Sequence, residues 1–179
     1  MDEIVERGFE RLQTLISETK RKKNDVLCEL CSQNVSLFMR MVDAVSPIVQ
    51  EIGSIFLLKA KQDLKGELYD QIYYKEKMII LGKTDCPLEY RPDDPKKKVT
   101  QQFCVLSEKG LLYELMFSND GFIVDTYASL LTPGEAIELY GYEIIYMLYS
   151  AMRDYSLAEE EVLAALDLAL GYIRKNINT

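Results

Sequence analysis

The sequence has 179 residues, of which 48% are hydrophobic and 28% charged, a balance that fits one globular domain or one domain with a helical extension. It contains no histidine, which excludes Ser-His-Asp and Cys-His nucleophile arrangements, His-ligated haem and His-containing zinc sites. The formal net charge is −8, and residues 132–179 carry eight acidic against three basic side chains, which disfavours nucleic-acid binding by that part of the chain.

The compartment is predicted from the apolar runs and the first residues. No run of 18 apolar residues is present, and the N-terminal residues are acidic and amphipathic, unlike a signal peptide. We therefore expect a cytoplasmic protein that has neither a membrane nor a nucleic acid as a partner. Two basic runs, residues 20–23 and 96–98, favour solvated ends of a helix and a loop over a phosphate or RNA contact.

Two amphipathic helices are predicted at the start of the chain. Asn24 or Asp25 is suited to cap the second of them. Ser46-Pro47 indicates a bend rather than a break, after which the helix is expected to continue to Leu58 or Leu64. The first helix covers residues 2–23, and its apolar stripe consists of Ile4, Phe9, Leu12, Leu15 and Ile16.

The second helix carries an apolar seam at steps of three or four residues. A seam of about four heptads either joins a second chain or packs inside its own domain. Its one polar residue, Asn34, is of the type that fixes the register of helical dimers, which slightly favours self-association. The seam consists of Leu27, Leu30, Asn34, Leu37, Met41, Val45, Ile48, Ile52 and Ile55.

An antiparallel meander of three to five strands is predicted in the middle of the chain. Residues 68–74 are compatible with either a strand or the last helical turns. Residues 82–98 contain three prolines and predict one long irregular segment. Turns are indicated at residues 107–110 and 119–121. The strands are expected at residues 77–81, 99–106, 111–117 and 122–127, with 111–117 as the central strand because both of its faces are fairly apolar.

Two capping boxes predict two closing helices. Thr132-Pro133-Gly134-Glu135 opens the first, which is expected to run to about Tyr155. Ser156-Leu157-Ala158-Glu159 opens the second, which is expected to reach the C-terminus. The apolar stripe of this last helix consists of Val162, Leu166, Ala169, Ile173 and Ile177.

Three tyrosines share one face of the helix that Thr132 opens. Tyr142, Tyr146 and Tyr149 recur at steps of four and three residues. Tyrosine combines a large apolar ring with a polar tip, which suits packing on the sheet, an interface with a partner, or the wall of a ligand pocket. We name these three residues as candidate interface residues and leave the other two interpretations open.

The four cysteines include a Cys-x-x-Cys at Cys28 and Cys31. Together with Cys86 and Cys104 they would suffice for a four-thiolate zinc or iron–sulfur site. The motif lies inside a helical pattern, however, and the other two cysteines are separated by seventeen residues. We therefore expect structural cysteines, either as buried thiols or in a disulfide, and no bound metal or cofactor.

Catalytic motifs are missing from the rest of the sequence. Glu114 and Asp125 lie within predicted strands and could point into a pocket, although a solvent-facing position is favoured. Gly-rich phosphate loops do not occur. We therefore predict no catalytic residue and no enzymatic activity.

These patterns predict an α+β fold, with a helical, coiled-coil-like region at residues 1–65 and an α+β region at residues 66–179, both in one continuous domain. The preferred function is a non-enzymatic interaction module, which forms a homodimer through its N-terminal helices and presents an acidic, tyrosine-rich surface to a partner protein. The alternative is a small-molecule sensor or carrier, with a pocket between the meander and the tyrosine-rich helix and residues 82–98 as a lid.

Overall fold

The fold is α+β, as the sequence predicts. The computed structural model describes residues 3–177, and the side chains of residues 5–170, so the predicted stripe residues Ile4, Ile173 and Ile177 lie outside the described side chains. A long helix precedes a five-stranded antiparallel meander, and two helices follow it. The elements are α1 (Glu3–Ile52), β1 (Ser54–Gln62), β2 (Leu68–Lys83), β3 (Val99–Ser107), β4 (Leu112–Asn119), β5 (Ile123–Leu131), α2 (Pro133–Tyr140) and α3 (Glu143–Ile177).

The chain divides into two compact units, Met1–Phe38 and Met39–Thr179. The first unit is the N-terminal part of α1. The second unit contains the remainder of α1, all five strands, α2 and α3. Within the described residues, no helix has the length and hydrophobicity needed to cross a membrane.

One helix replaces the two that the sequence predicts before the sheet. The separate helix start at Asn24 or Asp25 is wrong, because a capping residue permits a helix to begin without forcing it and no proline or glycine interrupts the chain there. The expected continuation through Pro47 is correct. The hydroxyl of Ser46, the residue before the proline, donates to the carbonyl of Val42 over 2.6 Å.

The predicted helical extension to Leu58 or Leu64 is wrong, because α1 ends at Ile52 and β1 begins at Ser54. The N–H of Gly53 donates to the carbonyl of Val49 over 2.8 Å. A Cβ on residue 53 would lie 2.4 Å from that oxygen, so this end of the helix needs a glycine. Residues 54–62, which the sequence pattern assigns to the helical region, therefore belong to the sheet.

The sheet closes into a barrel, in which β1 pairs with both β2 and β5. Five straight strands of alternating direction would leave one parallel pair in such a ring, yet all five pairings are antiparallel. Strand β2 resolves the mismatch because it changes partner at Met78, which lies opposite Ser54 of β1 and Ser107 of β3. Register shifts along β2 mark the bulges at which such a strand bends. The two segments predicted at 68–74 and 77–81 are thus one 16-residue strand.

Both faces of β4 are covered, which confirms it as a central strand. On its inner face Leu115 is fully buried, in a cluster with Met78 and Val105 that Phe103 and Phe117 complete by an edge-to-face contact at 5.7 Å. On its outer face Leu112, Glu114 and Met116 are buried as well.

The capping box at Thr132 opens α2, as predicted, with reciprocal bonds between Thr132 and Glu135. The helix ends much earlier than expected, because Gly141 adopts a φ of +75° and closes it at Tyr140. The second predicted start at Ser156 is wrong, since α3 runs through that residue without interruption. Helix α3 lies close to β2 at Gly82, where a Cβ would come within 3.0 Å of Ile144.

Candidate functional site

The largest exposed apolar surface of the first unit is one face of α1. It consists of side chains that are between 44% and 65% exposed, although each is large and hydrophobic. These positions share one side of the helix and form an apolar stripe in two parts, residues 5–16 and 26–37, separated on that side by polar residues that include Thr19 and Lys23. We call this stripe the α1 face; its members are Val5, Phe9, Leu12, Leu15, Ile16, Val26, Leu27, Leu30 and Leu37.

The predicted seam is divided by the structure. Leu27, Leu30 and Leu37 are exposed and belong to the α1 face. Asn34 and Met41 are half-buried. Val45 is fully buried, as are its neighbours Val42 and Val49 in the second unit, so it serves the core and is not available to a partner. Spacing along the sequence does not show where the seam changes from exposed to buried, because apolar residues occupy both faces of α1 after residue 38.

The three candidate tyrosines lie at the start of α3, with Tyr142 immediately before its first residue, and their rings are largely uncovered. Tyr142, Tyr146 and Tyr149 are 53–63% exposed. Packing on the sheet therefore does not explain them, since Ile144 and Leu148 on the other face of α3 are the residues that are fully buried. The tyrosines remain available for contact with another molecule.

The second half of α3 exposes a further apolar set, with fractions between 47% and 78%. Acidic residues Glu159, Glu160 and Glu161 lie among them. The set consists of Leu157, Val162, Leu163, Leu166, Leu168 and Leu170, of which the sequence analysis singled out Val162 and Leu166.

Glu114 is buried, so the expected solvent-facing position is wrong. Its Oε1 accepts hydrogen bonds from Gln102 Nε2 and from the hydroxyl of Tyr140 on α2, the latter over 3.0 Å. Gln102 in turn accepts a bond from the N–H of Leu88 over 2.8 Å. These hydrogen bonds connect β3, β4, α2 and the loop at 84–98, so Glu114 has a structural role. Sequence reasoning missed it because the partners are distant along the chain.

Asp125 lies in a separate charged cluster rather than beside Glu114. It pairs in the sheet with Ser118, four residues along β4 from Glu114, which separates the two by about 13 Å. Its carboxylate forms ion pairs with Lys97 and with the buried Arg91, whose Nη1 lies 2.9 Å from Oδ1. This cluster fixes the loop at 84–98 against β5.

A cavity of about 330 Å³ lies next to that cluster, between the loop and the β4–β5 hairpin. The buried hydroxyl of Ser118 lines it and has no hydrogen-bond partner among the described residues. Three lysines and three aspartates share the lining, so it favours neither an anion nor a cation. They are Asp94, Lys96, Lys97, Lys98, Asp120 and Asp125.

The pocket that a sensor would need between the sheet and α3 is an open cleft of about 320 Å³. Tyr140, Met147 and Lys83 contribute to its walls, whereas Tyr142 and Tyr146 do not. The loop at 84–98 does not line it either, so this segment is not placed as its lid.

All four cysteines are free thiols. Cys28, Cys31 and Cys86 are exposed, so the expectation of buried thiols holds for Cys104 alone. Burial, with a smaller contribution from the charge of Glu114, raises the pKa of the Cys104 thiol to about 12. No group of three or more acidic or cysteine side chains within the described residues is arranged to hold a metal ion.

No protein-family description matches this chain, and neither the curated proteins nor the solved structures contain a significant match.

Proposed function

We propose that the protein is a non-enzymatic interaction module that forms a homodimer through α1 and presents the acidic, tyrosine-bearing side of α3 to a partner protein. The observation that carries this proposal is the α1 face, where nine large apolar side chains are about half exposed in the single chain. Exposed apolar surface of this extent is typical of a protein–protein contact.

The stability of α1 supports the same conclusion. A helix in water gains most of its stability from packing of its apolar face, because helix propensity alone is marginal. Covering the exposed half of one large apolar side chain contributes about 1 kcal/mol. Nine such side chains per chain give a gross contribution comparable to the cost of association, which is roughly 4–15 kcal/mol. A second copy of the chain supplies an apolar face of the same shape.

The direct test is the substitution Leu30→Asp, since Leu30 lies within the α1 face. Burying a carboxylate at both copies of this position strongly opposes association. We expect sedimentation equilibrium to give a dissociation constant at least about a hundredfold weaker than that of the wild type. Leu64→Asp is the matched control, because Leu64 is 97% exposed in the β1–β2 turn and is expected to leave the dimer unchanged.

The far-ultraviolet circular dichroism of both variants separates loss of association from loss of folding. A folded, monomeric Leu30→Asp protein supports the proposal. A folded variant that dimerises as tightly as the wild type contradicts the assignment of α1 as the interface.

The partner surface on α3 and the compartment are further parts of this proposal. Exposed tyrosines with acidic residues along the same helix favour a basic or amphipathic protein segment as the partner. Substituting Tyr142, Tyr146 and Tyr149 together by serine is expected to abolish partner binding without changing the dimer.

A cytoplasmic location is supported by four unpaired thiols, which are typical of a reducing compartment.

The alternative function is small-molecule sensing in the open cleft between β2 and α3. The cleft supports it by combining apolar walls with the ammonium group of Lys83 and the carboxylate of Glu143. A thermal-shift screen of metabolites on the wild type and on Met147→Lys tests it. A compound that raises the Tm of the wild type alone favours sensing, and the absence of any such compound favours the interaction module.

A further inference from the structure

We infer that the two α1 helices of the dimer run antiparallel, with the twofold axis level with residue 21 along the helix. This inference rests on the proposed self-association through α1 and adds its geometry. It concerns the first unit, whose length from residue 3 to residue 38 is about 53 Å as a helix.

The order of apolar residues along the α1 face is compatible with the antiparallel direction. When two copies are placed antiparallel with residue 21 of each level with the axis, eight of the nine residues of the α1 face lie opposite apolar residues of the other copy, and Phe9 lies opposite Gln33. The apolar pairs lie on both sides of the axis and form layers of the kind that helix pairing needs. The facing pairs are Val5 with Leu37, Leu12 with Leu30, Leu15 with Leu27, and Ile16 with Val26.

The charges on the side of the face support the same direction. Arg11, Glu18, Lys22 and Glu29 lie at steps of seven, four and seven residues, with alternating sign. Reversal of the helix brings each base beside an acid, so that Arg11 of one copy lies next to Glu29 of the other, and Glu18 next to Lys22. The members of each pair are offset by two residues, about 3 Å along the axis, which side chains of this length can span.

A charged residue on the side of the α1 face also supports the antiparallel direction. Lys23 lies on the α1 face at helical spacing, seven residues after Ile16 and four before Leu27. In a parallel pair at equal register the two Lys23 ammonium groups would meet in the seam between the helices. In the antiparallel pair Lys23 faces Thr19 of the second copy, so this repulsion is avoided.

Thiol cross-linking of the full chain tests the direction. The background carries Cys28→Ser, Cys31→Ser and Cys86→Ser and keeps the buried Cys104. Leu12→Cys and Leu30→Cys are prepared as separate proteins and as an equilibrated mixture, and each sample is treated with a short bismaleimide. In the antiparallel dimer two copies of residue 12, or two copies of residue 30, are about 27 Å apart along the axis.

We expect a cross-linked dimer from the mixture and little or none from either protein alone. Cross-linking of each protein with itself would overturn the antiparallel direction, while leaving self-association through α1 intact. A dimer in light scattering that cross-links in no sample would overturn the inference as well. A wild type that is monomeric in the same light-scattering measurement would instead overturn the proposed function itself.

Discussion

The hydroxyl of Tyr140 on α2 donates a hydrogen bond to the buried carboxylate of Glu114 on β4, with 3.0 Å between the oxygens. Burial, reinforced by the charge of Glu114, raises the pKa of Tyr140 well above its ordinary value, so the phenol remains protonated and continues to donate. Gln102 donates to the same carboxylate oxygen. The bond from Tyr140 holds α2 against the outer face of the barrel, and the bond from Gln102 joins β3 to β4 beneath it.

Tyr140→Phe should therefore destabilise the protein, although it removes only one oxygen atom. The carboxylate of Glu114 stays buried and loses one of its two donors, which costs about 1–3 kcal/mol in the free energy of unfolding. Urea denaturation followed by circular dichroism measures the change. Tyr142→Phe is the control, because its ring is more than half exposed, and is expected to change the stability by no more than about 0.5 kcal/mol. Equal stability of the two variants would contradict the structural role of Glu114.

Acid should weaken the β4–β5 hairpin through Asp120. The N–H groups of Phe122 and Ile123 hold the pKa of its carboxyl below the ordinary value. A carboxyl with a depressed pKa in the folded state stabilises the fold above its unfolded pKa, near 4, and loses this contribution as the pH falls through the folded pKa. The hydrogen bond from Arg91 depresses the pKa of Asp93 in the same sense.

Asp120→Asn isolates this effect, since the amide oxygen still accepts hydrogen bonds but does not titrate. We expect the free energy of unfolding to fall less between about pH 5 and pH 3 in the variant than in the wild type. Identical losses in the two proteins would show that Asp120 does not contribute to the acid sensitivity.

The cysteines should differ sharply in reactivity. Iodoacetamide at about pH 8 is expected to add three labels to the native chain, on Cys28, Cys31 and Cys86, because these thiols are exposed. Cys104 should resist, since it is fully buried and its thiol has a pKa raised to about 12. Mass spectrometry counts the labels, and denaturation in urea should raise the count to four. A labelled Cys104 in native protein would show that the outer face of β3 is open to solvent.

Each single charge reversal on α1 should weaken the dimer, and the two reversals combined should restore it. Glu29→Arg brings a second cation next to Arg11 of the other copy, and Arg11→Glu brings a second anion next to Glu29. Each substitution acts twice in a symmetric dimer, so we expect a dissociation constant about tenfold weaker at low salt, since an exposed pair contributes about 0.2–1 kcal/mol.

The double variant Arg11→Glu with Glu29→Arg recreates both pairs with exchanged signs. It should return the dissociation constant to within about threefold of the wild type. If the double variant is weaker than both single variants, Arg11 and Glu29 do not meet and the antiparallel geometry is contradicted.

The sequence predicts the structure correctly where one short segment determines it. Thr132 and Glu135 satisfy each other's backbone N–H groups, so the start of α2 is fixed within four residues. Asp120 and Gly121 fix the β4–β5 turn in the same way, through two hydrogen bonds to Asp120 and a φ of +92° at Gly121. The strand between these two turns is predicted at residues 122–127, and the structure has β5 there, at Ile123–Leu131.

The remaining features depend on contacts that are distant along the chain. Ile55 continues the helical spacing of the seam, yet β1 forms there because Lys59 and Lys61 find partners in β5, more than sixty residues away. Whether the seam ends in a helix or a strand is decided by that closure. The two helices after the sheet divide at Gly141 rather than Ser156, since a glycine at positive φ ends a helix whereas a capping residue only permits one to begin.

The candidate surfaces were only partly accessible to sequence reasoning. Periodicity identified Leu27, Leu30 and Leu37, which are exposed, but it also included Val45, which is buried. Spacing alone does not distinguish them because an apolar side chain serves a core and an interface equally well. The exposure of each residue in the folded chain supplies the distinction.

The most direct test of self-association is a native mass spectrum of the full-length wild type at micromolar concentration. We expect a complex of twice the 20.6 kDa chain mass, which dissociates to single chains when Leu30 is replaced by aspartate. A wild-type spectrum that contains the 20.6 kDa chain alone would contradict the proposed dimer.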